Sequence, residues 1–174
     1  MEAREIEKCI DKFGTDVYRF CIKLCINKED AEDLYQQTFL KALESNFNLN
    51  WEQNPKALFF SLSYNLFKSN IRKIARRNNI APVVNINEEN ENLIFLNENF
   101  EEDIIQKELL NKINKIIEDL PDKIKIPLTL YYLFDFSTES ISKIIKKPLG
   151  TVKSRLFKGR SLIKKRLEEL GYDR

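Results

Sequence analysis

The 174-residue sequence contains no histidine. That excludes imidazole general-base catalysis and histidine-ligated metal centres. Glycine and proline are scarce, at four and five residues, so the chain cannot supply the turns of a many-stranded sheet and reads as helix. It has no glycine-rich phosphate loop, no cluster of metal ligands and no other sign of a catalytic centre, so neither enzyme activity nor a cofactor is expected. No apolar run approaches the ~18 residues that cross a bilayer. The start, Met1-Glu2-Ala3-Arg4-Glu5, lacks the apolar stretch of a secretory signal, and a cytoplasmic location is expected. The three cysteines are Cys9, Cys21 and Cys25. Cys21 and Cys25 lie four apart within the apolar stretch Val17 to Ile26, where a helix would place them on one buried face as small hydrophobes. Core packing is favoured over a redox or metal role.

What is present is hydrophobic enough to fold, at 43% apolar residues, and long enough for one ordinary domain or two small ones. The net charge of +2 conceals a segregation. Nine basic residues and no acidic one lie between Lys146 and Arg166, and five basic and no acidic between Lys68 and Arg77. From Asn78 to Gln106 there is no Lys or Arg, while Glu88, Glu89, Glu91, Glu98, Glu101, Glu102 and Asp103 are acidic. Two basic blocks about an acidic spacer suit two contacts with one polyanion.

Along the chain, Asp16 to Ile26 reads as a short amphipathic helix. Asn27 is the N-cap of a second, with Glu29 and Asp30 in its first turn and Ala31, Leu34, Tyr35, Phe39, Ala42 and Leu43 on one buried face. Asn46 to Asn54 is a polar loop carrying Phe47, Leu49 and Trp51. Asn54-Pro55 starts a third helix, which runs to about Arg77, aromatic early (Phe59, Phe60, Tyr64, Phe67) and basic late. Tyr64, with Phe47 and Trp51, is expected to be exposed; most of Phe59, Phe60 and Phe67 are expected in the core. Asn78 to Asn99 shows no helical period and marks a linker. Helical spacing returns at Ile105, Leu109, Ile113, Ile116 and Leu120 and breaks at Leu120-Pro121. Lys123 to Phe134 is helical by pattern, with a kink or a helix start expected near Pro127. Ser137 caps a short helix with Ile141, Ile144 and Ile145 inside, Lys146-Lys147-Pro148 forms a tight turn, and a final helix runs from about Leu149 to Leu170.

The last two helices have the proportions of a helix-turn-helix. Val152, Leu156, Gly159, Ile163, Leu167 and Leu170 form the seam of the final helix. Thr151, Ser154, Arg155 and Lys158 fall on another face, each able to donate a hydrogen bond and none acidic, which suits base edges and phosphates in a major groove. Lys153, Arg160 and Lys164 flank that stripe. DNA binding is the favoured reading.

Leu149-Gly150-Thr151-Val152-Lys153-Ser154-Arg155-Leu156, preceded by Leu120-Pro121 and followed by Gly159-Arg160, closely resembles region 4 of the extracytoplasmic-function (ECF) group of sigma-70 factors. Asp30-Ala31-Glu32-Asp33-Leu34-Tyr35-Gln36-Gln37-Thr38-Phe39-Leu40-Lys41-Ala42 resembles region 2.2, and Pro55 to Arg77 resembles regions 2.3 and 2.4. The resemblance implies an all-α chain of two small domains. Residues 1–78 would dock on core polymerase and bind the −10 element, 79–103 would be an acidic linker threading the polymerase cleft, and 104–174 would bind the −35 element. It implies −35 contacts at Thr151, Lys153, Ser154, Arg155, Lys158 and Arg160, and −10 contacts at Trp51, Tyr64, Asn65, Arg72, Lys73 and Arg76. Asp30, Asp33 and Gln37, spaced three and four apart off the apolar seam, would meet the β′ clamp helices, with the β flap as a further contact. The implied partners are core RNA polymerase, promoter DNA and an anti-sigma factor, which in this family is often membrane-anchored. The chain departs from the family pattern at Leu58 (usually Trp), Ser69 (Asp), Ser140-Ile141-Ser142 (Glu-Ile-Ala) and Lys146 (the turn Gly). A helix-turn-helix regulator that is not a polymerase subunit is the alternative. A response-regulator output domain would need a preceding strand–helix phosphoacceptor pattern, which is missing, while the basic blocks alone would also permit an RNA-binding protein.

Overall fold

The computed structural model describes residues 3–45, 54–80 and 104–172, which form seven α-helices and no strand. The chain divides into two compact units, Met1–Glu91 and Asn92–Arg174. Among the described residues no helix is long and apolar enough to cross a membrane.

The first unit packs three helices: α1 (Ala3–Leu24), α2 (Lys28–Glu44) and α3 (Pro55–Ile80). The first helix starts well before the expected Asp16, because Ile6 and Cys9 extend the apolar seam of Val17, Phe20 and Leu24 by two more turns. The seam is interleaved with charge there, which masks it in the sequence. The Asn27 side chain accepts a hydrogen bond from the Asp30 N–H at 2.8 Å, so the expected cap forms. Ala31, Leu34, Phe39 and Ala42 are buried as expected, and Tyr35 is half-buried. Leu43 is 43% exposed, a correction to the predicted face, and the unpredicted Thr38 takes an inner position. Its hydroxyl donates to the Leu34 carbonyl at 2.7 Å and lies 3.1 Å from the Ser63 hydroxyl of α3, which donates to the Phe59 carbonyl. Each buried hydroxyl is therefore satisfied.

Aromatic rings fill the space between helices. Phe20 stacks on Phe60 and Phe39 on Phe59, with centroids 4.7 and 4.9 Å apart, and Tyr35 meets Tyr18 and Phe39 edge-on. Lys56 of α3 pairs with Asp16 of α1 at 2.7 Å. Cys9 and Cys21 are buried, and Cys25 follows the end of α1, half-buried; all three are free thiols. Burial pushes the Cys21 and Cys25 thiols up to about 12, so both stay protonated and unreactive near neutral pH. The third helix begins at Pro55 as expected but continues through Asn78, Asn79 and Ile80. Those three residues belong to helix rather than linker or loop; residues 81–103, the remainder of the acidic segment, lie outside the described residues.

The second unit holds α4 (Ile104–Glu118), α5 (Asp122–Tyr132), α6 (Thr138–Ile145) and α7 (Leu149–Glu169). The break at Leu120-Pro121 is where expected. The fifth helix, however, starts at Asp122 and passes through Pro127 instead of starting there. A proline at this depth removes the amide that would bond the Lys123 carbonyl, at a cost of roughly 3 kcal/mol. Burial of Ile124, Ile126, Pro127, Leu128 and Leu130 on this one short helix opposes that cost. Ile141, Ile144 and Ile145 are buried with Val152 and Leu156, forming the core beneath the helix-turn-helix. The predicted seam of α7 weakens along its length: Ile163 and Leu167 are half-buried and Leu170 is 55% exposed. At the end, Gly171 adopts φ 84° and the amides of Gly171 and Tyr172 return to the Glu168 and Leu167 carbonyls, a Schellman closure that only glycine makes cheaply.

Candidate nucleic-acid interface

The second unit presents its basic surface through a capped helix, a left-handed turn and a long helix. Ser137 accepts from the Ser140 N–H at 3.1 Å and starts α6. Lys146 closes it in the left-handed region, φ 52° and ψ 54°, a conformation costing a residue with a Cβ roughly 1–2 kcal/mol. Pro148 then stands at the N-cap of α7 with no side-chain cap bond, so no side chain of the cap occupies the first-turn amides. Gly150 follows in that turn, exposed, and a Cβ added there would meet nothing within 4 Å. The fold does not require glycine at this position, where it weakens the helix by ~1 kcal/mol relative to alanine. A bare backbone suits close approach by an external surface.

On α7, Lys153, Ser154, Lys158 and Arg160 are exposed, while Thr151 and Arg155 are half-buried. Thr151, Ser154, Arg155 and Lys158 share the expected face, but the Ser154 hydroxyl donates to the Thr151 carbonyl at 3.0 Å, leaving its lone pairs outward as acceptors. Arg160 lies over the Tyr131 ring, 5.8 Å from its centroid, which directs the guanidinium along α5. The Glu139 carboxyl is held below its ordinary value, first by its own backbone N–H and then by Thr138, with a smaller pull from Lys153. Lys164 and Arg166 pair with Glu168 and Glu169 at 3.7 and 2.9 Å. Free cationic potential therefore concentrates at the turn and the first half of α7, rather than along its whole length.

Phe157, absent from the sequence-derived contact set, is 72% exposed on α7 between the buried Leu156 and the exposed Lys158. It sits one residue off the seam, and that offset is the signal the sequence holds.

In the first unit the candidate −10 residues separate. Arg72, Lys73 and Arg76 are exposed on the last turns of α3, with Ile71 and Ile74 exposed among them. Asn65 is half-buried, its amide 3.4 Å from the Ser61 hydroxyl. Tyr64 is only 8% exposed, a correction to its expected exposure. It lies one turn beyond Phe60 on the face turned to the core, and Lys68 covers its ring at 5.6 Å. Of the three phenylalanines mostly expected in the core, Phe59 and Phe60 are buried and Phe67 is half-buried. Trp51 lies outside the described residues, as does Phe47. The expected polymerase-facing set is brought together on α2: Asp30 and Asp33 are exposed, Gln37 is half-buried, and the Gln37 amide donates to Asp33 Oδ2 at 2.6 Å.

Two family models match the chain: Sigma-70 region 2 over residues 9–77 and Sigma-70 region 4 over 110–163. Together they span well over half of it. The chain belongs to the sigma-70 family. Among relatives of this sigma factor, the ECF RNA polymerase sigma factor SigW of Bacillus subtilis is 26% identical over 170 residues, covering 92% of this chain and 88% of that protein. SigM of the same organism is 28% identical over 159 residues, covering 91% and 93%. These relatives place the chain in the ECF group. In fold it is similar to the sigma factor RpoE of Bartonella quintana, solved in complex with the anti-sigma factor NepR, at TM-score 0.76 and 24% identity, with 99% of this chain and 100% of that one covered. CnrH, solved with the cytosolic domain of CnrY, matches at TM-score 0.64 and 14% identity, covering 97% and 90%. The first unit thus carries region 2, and the second carries region 4 with its helix-turn-helix.

Proposed function

We propose that this sigma factor directs core RNA polymerase to promoters in the cytoplasm, reading the −35 element with α7 and engaging melted −10 DNA with α3. The observation that carries the reading is the face of α7: a donor-rich, acid-free stripe beginning at a bare glycine and an uncapped helix start. Thr151, Ser154, Arg155 and Lys158 contact base edges and adjacent phosphates, Lys153 and Arg160 hold the backbone, and Phe157 supplies the apolar surface that a thymine methyl accepts. Arg72, Lys73 and Arg76 hold the single strand at −10, with Asn65 beside them and Trp51 as a stacking ring; Tyr64 supports the helix from within. Asp30, Asp33 and Gln37 offer a negative stripe to basic side chains of the β′ clamp, and the region 4 unit meets the β flap. The domain limits proposed are 1–80 and 104–174, joined by the acidic segment. An anti-sigma factor, membrane-anchored or not, is the proposed regulator, since RpoE of Bartonella quintana was solved bound to the anti-sigma factor NepR. The chain acts by binding; catalysis stays with the polymerase.

Run-off transcription with purified bacterial core polymerase on a library of promoter fragments, with and without the protein, tests this. Initiation that requires the protein and shares one −35/−10 pair is the expected result. Tight DNA binding by the free chain with no core complex would instead assign it to helix-turn-helix regulators that are not polymerase subunits.

A further inference from the structure

The turn between α6 and α7 contains a bond that its backbone does not require. The Ser142 carbonyl receives the amides of both Lys146 and Lys147, the latter at 3.1 Å, which any residue at 142 could do. The Ser142 hydroxyl then reaches across the turn and donates to the Lys147 carbonyl at 2.6 Å. Among the described residues no backbone amide bonds to that carbonyl. The residue after it, Pro148, has no N–H to bind the turn and supplies no side-chain cap to α7. Three hydrogen bonds therefore close on one serine at the point where Lys146, a residue with a Cβ, holds φ 52°.

We propose that Ser142 is a positioning residue for promoter recognition: its hydroxyl, closed on the Lys147 carbonyl, holds Lys146 in the left-handed turn that sets the first turn of α7 against DNA. This rests on the −35 reading of α7. Glycine in place of Lys146 would take the same conformation without strain. The lysine places a cation at the approach to the recognition helix, next to Lys147, both exposed, and the serine clasp offsets the backbone strain that the lysine brings. Loosening the clasp lets the Lys147–Pro148 segment and the start of α7 shift. Gly150 and Thr151, in the first turn of α7, would then be held less firmly against the DNA, while the apolar core of Ile141, Ile145, Val152 and Leu156 beneath stays intact.

The test uses the full chain with Ser142→Ala and Ser142→Thr, each also built on Lys146→Gly. Amide hydrogen exchange at Lys146 and Lys147 without DNA is the first readout. Ser142→Ala should raise exchange there about fivefold, the change that one net hydrogen bond carries, while Ser142→Thr keeps the wild-type rate. On the Lys146→Gly background Ser142→Ala removes the same bond and should raise exchange by about the same factor. The second readout is holoenzyme affinity for a promoter fragment selected with the wild-type protein. It should be about fivefold weaker for Ser142→Ala, with core-polymerase binding unchanged, and Ser142→Ala should make no difference on the Lys146→Gly background. Wild-type exchange in Ser142→Ala, or an equal loss of promoter affinity from that change on both backgrounds, overturns the proposal. If the wild-type holoenzyme selects no promoter, the sigma-factor reading fails, and the exchange measurement still decides whether the clasp holds the turn.

Discussion

Gly159 shows how little room separates α5 from α7. A Cβ at this position would lie 2.6 Å from Leu128 Cδ1 and 3.1 Å from Ile124 Cγ2, and both side chains are buried. Alanine would regain ~1 kcal/mol of helix propensity against that overlap and should be near neutral. Valine adds a branched group with no space to fill, and Gly159→Val should lower the stability of the second unit by about 1–3 kcal/mol, read as an earlier urea midpoint. The thiols give a second residue-scale expectation. With Cys21 and Cys25 pushed up to about 12 by burial, both remain neutral in the folded chain, whereas the unfolded chain ionises them near the ordinary thiol value. Their contribution to stability is present below that value and is lost as pH rises through the folded one. At pH 8 iodoacetamide should therefore spare both in the native protein and label all three cysteines in urea. Rapid native labelling at Cys21 would revive a redox role.

At the scale of the helix, the caps and breaks are legible in the sequence because they are local. Asn27, Ser137, Asn54-Pro55 and Leu120-Pro121 act within one turn of their own position, and each works as its residue type dictates. Asn27→Ala and Ser137→Ala should each cost about 1 kcal/mol, seen in urea unfolding of the unit that holds the helix and not in the other. Lengths are less legible. The first helix is longer than its sequence pattern suggests because charge interleaves its early seam. The third runs three residues past Arg77 into the asparagines, which are weak helix formers but not helix stops. Pro127 could mark a helix start by its local cost; the helix starts at Asp122 instead, and burial around the proline, a nonlocal gain, opposes that cost.

At the scale of the whole molecule the charge pattern makes the function testable. Arg155→Ala should reduce transcription from the selected promoter roughly tenfold, the loss of one bidentate base contact, with unchanged affinity for core polymerase in a pull-down. Asp33→Arg should do the reverse, weakening the polymerase complex, since it turns one member of the α2 acidic stripe against a basic partner. DNA binding by the holoenzyme should fall steeply with salt because phosphate contacts release counterions, and Lys158→Ala should make that slope shallower by about one. A flat salt response would remove the basic face of α7 from the interface.

The all-helical class, the exclusion of histidine chemistry, the segregated charge and the helix-turn-helix string can all be read from the residues alone. They depend on composition or on neighbours three and four apart, which a chain carries with it before folding. Packing was needed to show that Tyr64 is inside and Phe157 outside, that Leu43 faces water while Thr38 and Ser63 share the core, and that Gly159 is a helix contact while Gly150 is not. It also placed Lys146 in a left-handed turn closed by the Ser142 hydroxyl. A helix's period says which residues share a face, but which part of that face is covered depends on where another helix, distant in sequence, comes to rest.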